Sequence, residues 1–302
     1  MRNRWFIALA AIGLHISIGS VYAWSVLTRP IMADMGFTLS QTTWTFSLAI
    51  LMLGLSAGFL GSFAEKIGPK KSGLLAMLFW VTGLFGTAYA LNIHNLTLLY
   101  LFYGIIGGIG LGIGYITPVS TLVKYFPNRP GFATGLAIMG FGFASLIAGP
   151  LMQYLVAQVG LIDNFIILGL IYLVVMGASS LYLKAPQPKQ PTRTTKDKST
   201  MYVHNHGMLA NDAMKTWQFG ALWWVFFINI TCGIGLLSLA SPMAQETIGM
   251  TPVAAASLVG IIGIFNGGGR IAWSTISDYL GRAQTYILFF IIEIVAFYLL
   301  AQ

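Results

Sequence analysis

Arg270 is the residue whose type and position most clearly point to a chemical role. It lies in the run FNGGGRIAW, residues 265–273, within a stretch that is otherwise typical of an apolar helix. Its guanidinium carries a planar fork of N–H donors that matches a carboxylate bidentately, which a lysine ammonium does not reproduce. Near the centre of a bilayer an arginine costs about 2.5–3.5 kcal/mol, so such residues tend to face a wet cavity and mark a pathway. The alternative is that Arg270, roughly two turns from the end of its helix, extends to the membrane surface or pairs with Asp278.

Four aromatic residues are candidates to line the same site. Tyr22 in VYAW and Tyr115 in GLGIGYITP carry hydroxyls that could donate to a carboxylate while their rings limit its size. Trp24 and Trp273 are weaker candidates. All four lie near predicted helix ends, where Tyr and Trp commonly form interfacial belts. Residue type alone therefore favours the belt over the site.

Two ionisable groups within apolar segments could take up and release a proton, namely His15 and Glu293. The alternative for each is a hydrogen-bonded structural role. His204 and His206 form a His-x-His pair in a polar segment, and two ligands make a weak metal site. We therefore predict no metal and no cofactor. We also predict no enzyme, because the Ser, His and Asp residues form no catalytic constellation.

The composition places these residues in a membrane protein. The chain of 302 residues is 57% hydrophobic and only 8% charged, and its mean hydropathy is +0.78; soluble domains are usually about 25% charged. A spanning helix needs about 20 mostly apolar residues. Nine segments qualify, near residues 5–27, 43–64, 72–92, 96–120, 132–157, 164–183, 218–240, 253–276 and 283–302. The predicted fold is an all-α polytopic bundle in a lipid bilayer.

The distribution of basic residues predicts the orientation of these segments. If the N-terminus is cytoplasmic, 14 of the 16 Lys and Arg residues fall on the cytoplasmic side, as the positive-inside rule requires. They are Arg2, Arg4, Lys66, Lys70, Lys71, Lys124, Arg129, Lys184, Lys189, Arg193, Lys196, Lys198, Lys215 and Arg282. Only Arg29 falls outside and only Arg270 within a span. The net charge of +8 is thus explained by topology and indicates no nucleic-acid partner. We expect a multi-pass protein of the cell membrane.

A polar segment divides the chain into three predicted parts. Residues 1–183 form a six-helix bundle, residues 184–217 a cytoplasmic linker ending in a short helix at 211–216, and residues 218–302 part of a second bundle. The loops after the second and eighth segments, GSFAEKIGPKK and STISDYLGR, resemble each other, which indicates a duplicated bundle. In each, an acid precedes a glycine by three residues, which suits a tight turn whose carboxylate caps a helix and pairs with the basic residues. The residues of this predicted gate are Glu65, Lys66, Gly68, Lys71, Asp278, Gly281 and Arg282.

The first of these loops resembles the signature loop of the major facilitator superfamily. The set VYAWSVL, KYFPNRPGFATG, MKTWQFGALW and FNGGGRIAW is similar to the oxalate/formate antiporter family within it. The resemblance covers essentially the whole chain. It implies twelve helices in two halves around a central site, of which nine are present, so we expect a fragment that lacks helices ten to twelve. It also implies that Arg270 binds a substrate carboxylate and that Tyr22 and Tyr115 are site residues.

The resemblance implies a secondary transporter of small organic anions, such as oxalate, formate or a related carboxylate, working by alternating access and exchange. Two alternatives stay open. One is a proton-coupled lactate or pyruvate carrier, because the monocarboxylate transporter family is also similar and uses an arginine in its eighth helix. The other is a non-transporting membrane receptor or assembly partner. We expect a monomer.

Overall fold

The fold is a bundle of long helices, described by a computed structural model over residues 3–186 and 210–300. Within those residues, nine helices are long and apolar enough to cross a membrane. They are α1 (Arg4–Met35), α2 (Leu39–Ile67), α3 (Pro69–Asn92), α4 (Leu96–Tyr125), α5 (Pro130–Val159), α6 (Leu161–Tyr182), α7 (Trp217–Thr247), α8 (Pro252–Leu280) and α9 (Arg282–Leu300). The predicted all-α fold and its nine spanning helices are confirmed.

Most of the helices extend a few residues beyond the predicted segments, because polar residues at their ends act as caps. Thr38 accepts a hydrogen bond from the backbone of Gln41, whose side chain binds back to Thr38, and this capping box starts α2. Thr251 caps α8 by accepting from the Ala254 amide at 3.3 Å. A hydropathy criterion places such polar residues in loops, although they belong to the helix ends.

The chain divides into two compact units, one made of residues 1–186 and 238–302 and the other of residues 187–237. The described part of the second unit contains a helical turn at Ala210–Ala213, where the sequence predicted a short helix at 211–216, and the first part of α7. Residues 187–209 of the predicted linker lie outside the described part of the chain, as do the two histidines of the His-x-His pair. The predicted boundaries near 183 and 217 stay a prediction.

In the first unit, α1 lies at the centre of the packing. It contacts α4, α5 and α6, and it is the most buried of the spanning helices. The helices α3 and α6 pack together, as do α2 and α4. The most extensive contact joins α5 to α8. In this pair, α5 belongs to the first six helices, whereas α8 follows the polar segment in the sequence.

Glycines make the close contact between α5 and α8 possible. A Cβ added to Gly142 would lie 2.5 Å from the Cα atom of Gly267, and a Cβ on Gly149 would lie 3.0 Å from a backbone oxygen of α8. Real side chains do not fit at such distances, so the two backbones meet directly. Of the three consecutive glycines before Arg270, Gly267 makes this contact whereas Gly268 faces open space. Of these two glycines, only Gly267 thus belongs to the close contact between the helices.

The two repeated loops have the same backbone conformation at their glycines. Gly68, between α2 and α3, has φ +83 and ψ 160, and Gly281, between α8 and α9, has φ +92 and ψ 151. Positive φ values of this kind favour glycine, because other residues place a Cβ against the backbone there. The correspondence of the two loops seen in the sequence is therefore present in their geometry.

The glycine contact between α5 and α8 predicts that Gly142→Leu destabilises the protein. The new side chain would force the helices apart, and overpacking of this kind costs about 1–3 kcal/mol. Gly54→Leu on α2 is the matched control, since it adds the same side chain to a helical glycine with nothing within 4 Å. Thermal unfolding in detergent should show a lower midpoint for the first variant only. Equal midpoints would contradict the tight packing.

Candidate functional site

A break in α1 places Tyr22 at the contact between α1, α5 and α8. The helix narrows to a 3₁₀ turn at Ser20–Ala23, which contains Tyr22. Just before it, a Cβ added to Gly19 would lie 2.7 Å from the Cα atom of Phe141 on α5, so the two backbones touch. The Tyr22 side chain is buried, with 9% of its surface exposed. It is therefore a core residue of the bundle and not part of an interfacial belt.

Arg270 points from α8 towards α1. Its Nε donates to the Asn266 side-chain oxygen at 2.9 Å, one helical turn earlier, and its Nη2 donates to the Tyr22 hydroxyl at 3.3 Å. Tyr115 of α4 also interacts with this guanidinium electrostatically. The structure thus brings together the three residues that the resemblance implied for one site. The alternative pairing of Arg270 with Asp278 is not the arrangement found.

Phe141 of α5 is the centre of this cluster. Its ring centroid lies 4.7 Å from that of Tyr22 and 5.4 Å from that of Tyr115, and both contacts are edge to face. The guanidinium carbon of Arg270 lies 5.6 Å from the same ring, within the range of a cation–π interaction. Phe141 was not predictable from the sequence, because one phenylalanine among 20 carries no distinguishing signal.

Arg270 is half-buried, and within residues 3–186 and 210–300 it forms no ion pair with an acidic side chain. Its contacts there are an amide, hydroxyls and aromatic rings. A partly desolvated cation without a counter-ion attracts an anion, and the fork of donors suits a carboxylate.

His15 lies fully buried beside this cluster. Its Nε2 is 3.1 Å from the carbonyl oxygen of Tyr115, and its Nδ1 contacts the carbonyl oxygen of Ala137 on α5. Its ring lies 6.2 Å from Phe141 and 5.4 Å from the ring of Tyr115. A Cβ added to Gly140 would lie 3.2 Å from the Cβ of His15, so this glycine makes room for the imidazole.

The remaining predicted site residues lie elsewhere in the bundle. Trp24 is fully buried and packs against Tyr103 of α4, with ring centroids 4.4 Å apart. Trp273 packs against Phe289 of α9 at 5.1 Å. Glu293 is half-buried on α9. The rings of these two tryptophans thus belong to other aromatic contacts than the one centred on Phe141.

Asp278 caps a helix, as the repeated loop predicted. Its Oδ2 accepts from the Phe132 amide in the first turn of α5 at 3.0 Å, and its Oδ1 accepts from Arg282 at 2.6 Å. The corresponding acid, Glu65, instead pairs with Lys124 at the end of α4. The Asp278 contact joins α8 to α5, whereas the Glu65 pair lies within the first six helices. The two loops have the same backbone conformation at their glycines, but their acids contact different parts of the bundle.

The other basic residues of the predicted gate are exposed. Lys66 lies in the last turn of α2 and Lys71 in the first turn of α3.

At the opposite end of the helices, Arg29 of α1 donates to Glu246 at 2.9 Å and to Gln245 at 3.3 Å, both at the end of α7. Arg29 was predicted to lie outside the membrane. Its partner Glu246 was not predictable, because the two residues are more than two hundred positions apart in the sequence.

A cavity of about 320 Å³ lies at the start of α1 and the turn between α4 and α5, away from the residues that surround Arg270. Arg4, Arg129 and the rings of Trp5, Phe126 and Phe132 are among its lining residues. None of the residues that surround Arg270 lines it.

Asn266, like Phe141, lies in the cluster around Arg270 but was not predicted from the sequence. Its spacing of four residues before Arg270 was a usable signal, because side chains at i and i+4 share one face of a helix. An amide that accepts from Nε fixes the orientation of the guanidinium without neutralising its charge.

Comparison with known proteins identifies the fold and the family. Residues 6–302 match the Major Facilitator Superfamily. A solved D-xylose-proton symporter superposes with a TM-score of 0.58 over 91% of this chain and 69% of its own, at 16% sequence identity. At that identity the likeness concerns the fold alone.

Three curated relatives are informative. An uncharacterised MFS-type transporter of Escherichia coli, YhjX, is 30% identical over 97% of this chain and 71% of its own length. The oxalate:formate antiporter of Oxalobacter formigenes is 27% identical over 95% of this chain and 66% of its own. Human monocarboxylate transporter 14 is 29% identical over 56% of this chain and 33% of its own. The chain thus spans about two thirds of the length of the first two relatives.

These relatives are transporters and not enzymes, and the nine apolar helices of the described residues agree with a multi-pass membrane protein. The chain therefore belongs to the major facilitator superfamily.

Proposed function

We propose that this chain forms the substrate-binding part of a secondary transporter for small carboxylates, which moves them across the membrane by alternating access. The observation that carries the proposal is the half-buried guanidinium of Arg270, which has no acidic partner in the described parts of the chain. An anion that binds there would supply the missing charge. The oxalate:formate antiporter and monocarboxylate transporter 14 among the relatives support a carboxylate as the cargo. The first of these names also supports exchange as the mode.

Each residue of the cluster has a proposed role in binding. Arg270 anchors the carboxylate, Tyr22 and Tyr115 donate hydroxyl hydrogen bonds to it, and the ring of Phe141 closes one wall. Aromatic walls limit the size of the cargo, which favours an anion of a few carbon atoms. Asn266 is a positioning residue, since it holds Nε and leaves the two terminal nitrogens to face the ligand.

Contacts at the two ends of the helices are the proposed gates. Asp278 holds α8 against the N-terminus of α5 at one end, and Arg29 holds α1 against α7 at the other. Asp278 lies eight residues beyond Arg270 on α8, or about 12 Å along the helix axis. By the positive-inside rule we propose that the Asp278 end is cytoplasmic in the cell membrane.

The anchor role predicts that Arg270→Lys and Arg270→Gln both abolish most transport. A charge-assisted hydrogen bond contributes about 1.5–3 kcal/mol, so uptake at limiting substrate should fall roughly 10- to 100-fold. Lysine should not rescue it, because an ammonium cannot bind bidentately. Arg129→Lys, an exposed arginine, is the matched control. Uptake of labelled oxalate or formate by the full-length protein in proteoliposomes measures the effect, and wild-type rates in both Arg270 variants would refute the anchor.

The positioning role of Asn266 predicts that Asn266→Asp is worse than Asn266→Ala. A carboxylate four residues before Arg270 would neutralise the guanidinium and compete with the substrate, whereas alanine only removes an orienting contact. Binding constants from calorimetry should be weakest for the aspartate variant. Asn92→Asp, at an exposed helix end, is the control for an added negative charge. Tighter binding in Asn266→Asp than in Asn266→Ala would argue against this geometry.

The gate role predicts different effects for two similar acids. Asp278→Asn weakens the cap that joins α8 to α5, whereas Glu65→Gln breaks a pair within the first six helices. In a Cys232→Ser background, Ser274→Cys places a thiol between α5 and α8. Its labelling rate should rise about 2- to 30-fold with Asp278→Asn, since a cap contributes about 0.5–2 kcal/mol. The rate should not change with Glu65→Gln, and an equal rise in both variants would remove Asp278 from the gate.

A further inference from the structure

The two hydrogen-bond partners of His15 favour its protonated state. Both ring nitrogens face backbone carbonyl oxygens, Nε2 that of Tyr115 at 3.1 Å and Nδ1 that of Ala137. Carbonyl oxygens only accept hydrogen bonds, and a neutral imidazole carries a single N–H. In the neutral state one nitrogen lone pair therefore faces an oxygen lone pair. Only the protonated ring, with two N–H groups, satisfies both contacts.

The charges around His15 oppose this protonated state when the site is empty. The imidazole is fully buried, and Arg270 acts on it electrostatically from α8. Tyr22 of α1 and Tyr115 of α4 are the titratable groups near the ring, and both carry hydroxyls rather than carboxylates. From α5 it meets Ala137, Gly140 and Phe141, none of which titrates.

Helix α6, which also packs against α1, brings no acid to His15. Its acid, Asp163, is exposed in the first turn of the helix, and its Tyr172 interacts with Ser20, five residues beyond His15 on α1. Among the ion pairs of residues 3–186 and 210–300, none includes His15. Two favourable hydrogen bonds thus compete with burial and with a nearby positive charge. Burial is the larger of the two opposing effects, and neutralising the charge of Arg270 removes the smaller one.

We propose that His15 is a proton-binding site coupled to the carboxylate site, so that an anion that binds Arg270 favours the uptake of a proton by His15. The inference rests on the proposed function, because the anion is what neutralises Arg270. With the anion bound, the repulsion between the two cations is offset, and His15 gains a proton that completes both carbonyl contacts. A carrier of this kind moves a carboxylate and a proton together, in net symport or in exchange.

The size of the coupling follows from the geometry. The Arg270 guanidinium carbon and the His15 ring lie 5.6 Å and 6.2 Å from the same phenyl ring, that of Phe141. Two charges at most about 12 Å apart in a medium of effective dielectric constant about 20 affect each other's binding roughly tenfold. Coupling is reciprocal, so protonation of His15 should tighten anion binding by the same factor. Affinity is therefore highest at low pH and falls as the pH rises and His15 loses its proton.

The test is calorimetry of the full-length protein with oxalate, formate or pyruvate, in buffers of different ionisation enthalpy between about pH 5.5 and 8. The buffer dependence of the heat counts the protons taken up. These anions stay ionised in this range, because carboxyl groups titrate near ~4. Wild-type protein should take up a fraction of a proton per anion, about half at most for a tenfold coupling, with roughly tenfold tighter binding at low pH.

His15→Gln should bind the anion with no proton uptake and no pH dependence, because an amide does not titrate. The matched control is His94→Asn, since His94 is exposed and has φ 52, which asparagine tolerates; it should behave as wild type. Anion binding by the wild type without proton uptake overturns this inference and leaves the carboxylate site intact, whether or not His15→Gln folds. Proton uptake that persists in His15→Gln also overturns it. An absence of any anion binding overturns the proposed function and this inference together.

Discussion

The site that we propose depends on one charge, the guanidinium of Arg270, which forms no ion pair within the described residues. Removing a cation from water is costly unless hydrogen bonds or an anion replace the lost hydration. Asn266 and Tyr22 supply part of that replacement, and the ring of Phe141 supplies a cation–π contact. No acid within residues 3–186 and 210–300 completes it. The site is thus incomplete by one negative charge, and this defines the cargo that we propose.

Small residues and a helix break make that arrangement sterically possible. Gly142 and Gly267 let the backbones of α5 and α8 touch, and Gly19 brings α1 against Phe141. Interfaces of small side chains also let helices move past each other without interlocking. The contacts that hold the helices at their two ends are polar and partly exposed, and such contacts are worth little individually. A close but smooth contact between weakly held ends suits a bundle that opens alternately at each end.

The sequence predicted the helices better than it predicted their faces. Segment length and hydropathy located all nine spans of the described chain, and the spacing of Asp278 and Gly281 predicted a capped turn that the structure contains. Phe141 and the packing of Trp24 were not predictable, because helices that are apolar all round carry no pattern to mark the side facing a site. Glu65 has the same spacing as Asp278 but another partner, since its neighbours are set by tertiary packing.

The position of a bound carboxylate tests most directly whether Arg270 binds the cargo. Solid-state NMR of the full-length protein in lipid, with ¹³C-labelled oxalate and ¹⁵N-labelled arginine, reports the distance between the ligand and guanidinium groups. If Arg270 is the anchor, we expect a carboxylate carbon within about 4 Å of its guanidinium, as a bidentate pair requires. Arg270→Lys should remove that signal. A carboxylate that instead couples to Arg4 or Arg129, at the cavity beside the start of α1, would contradict that role.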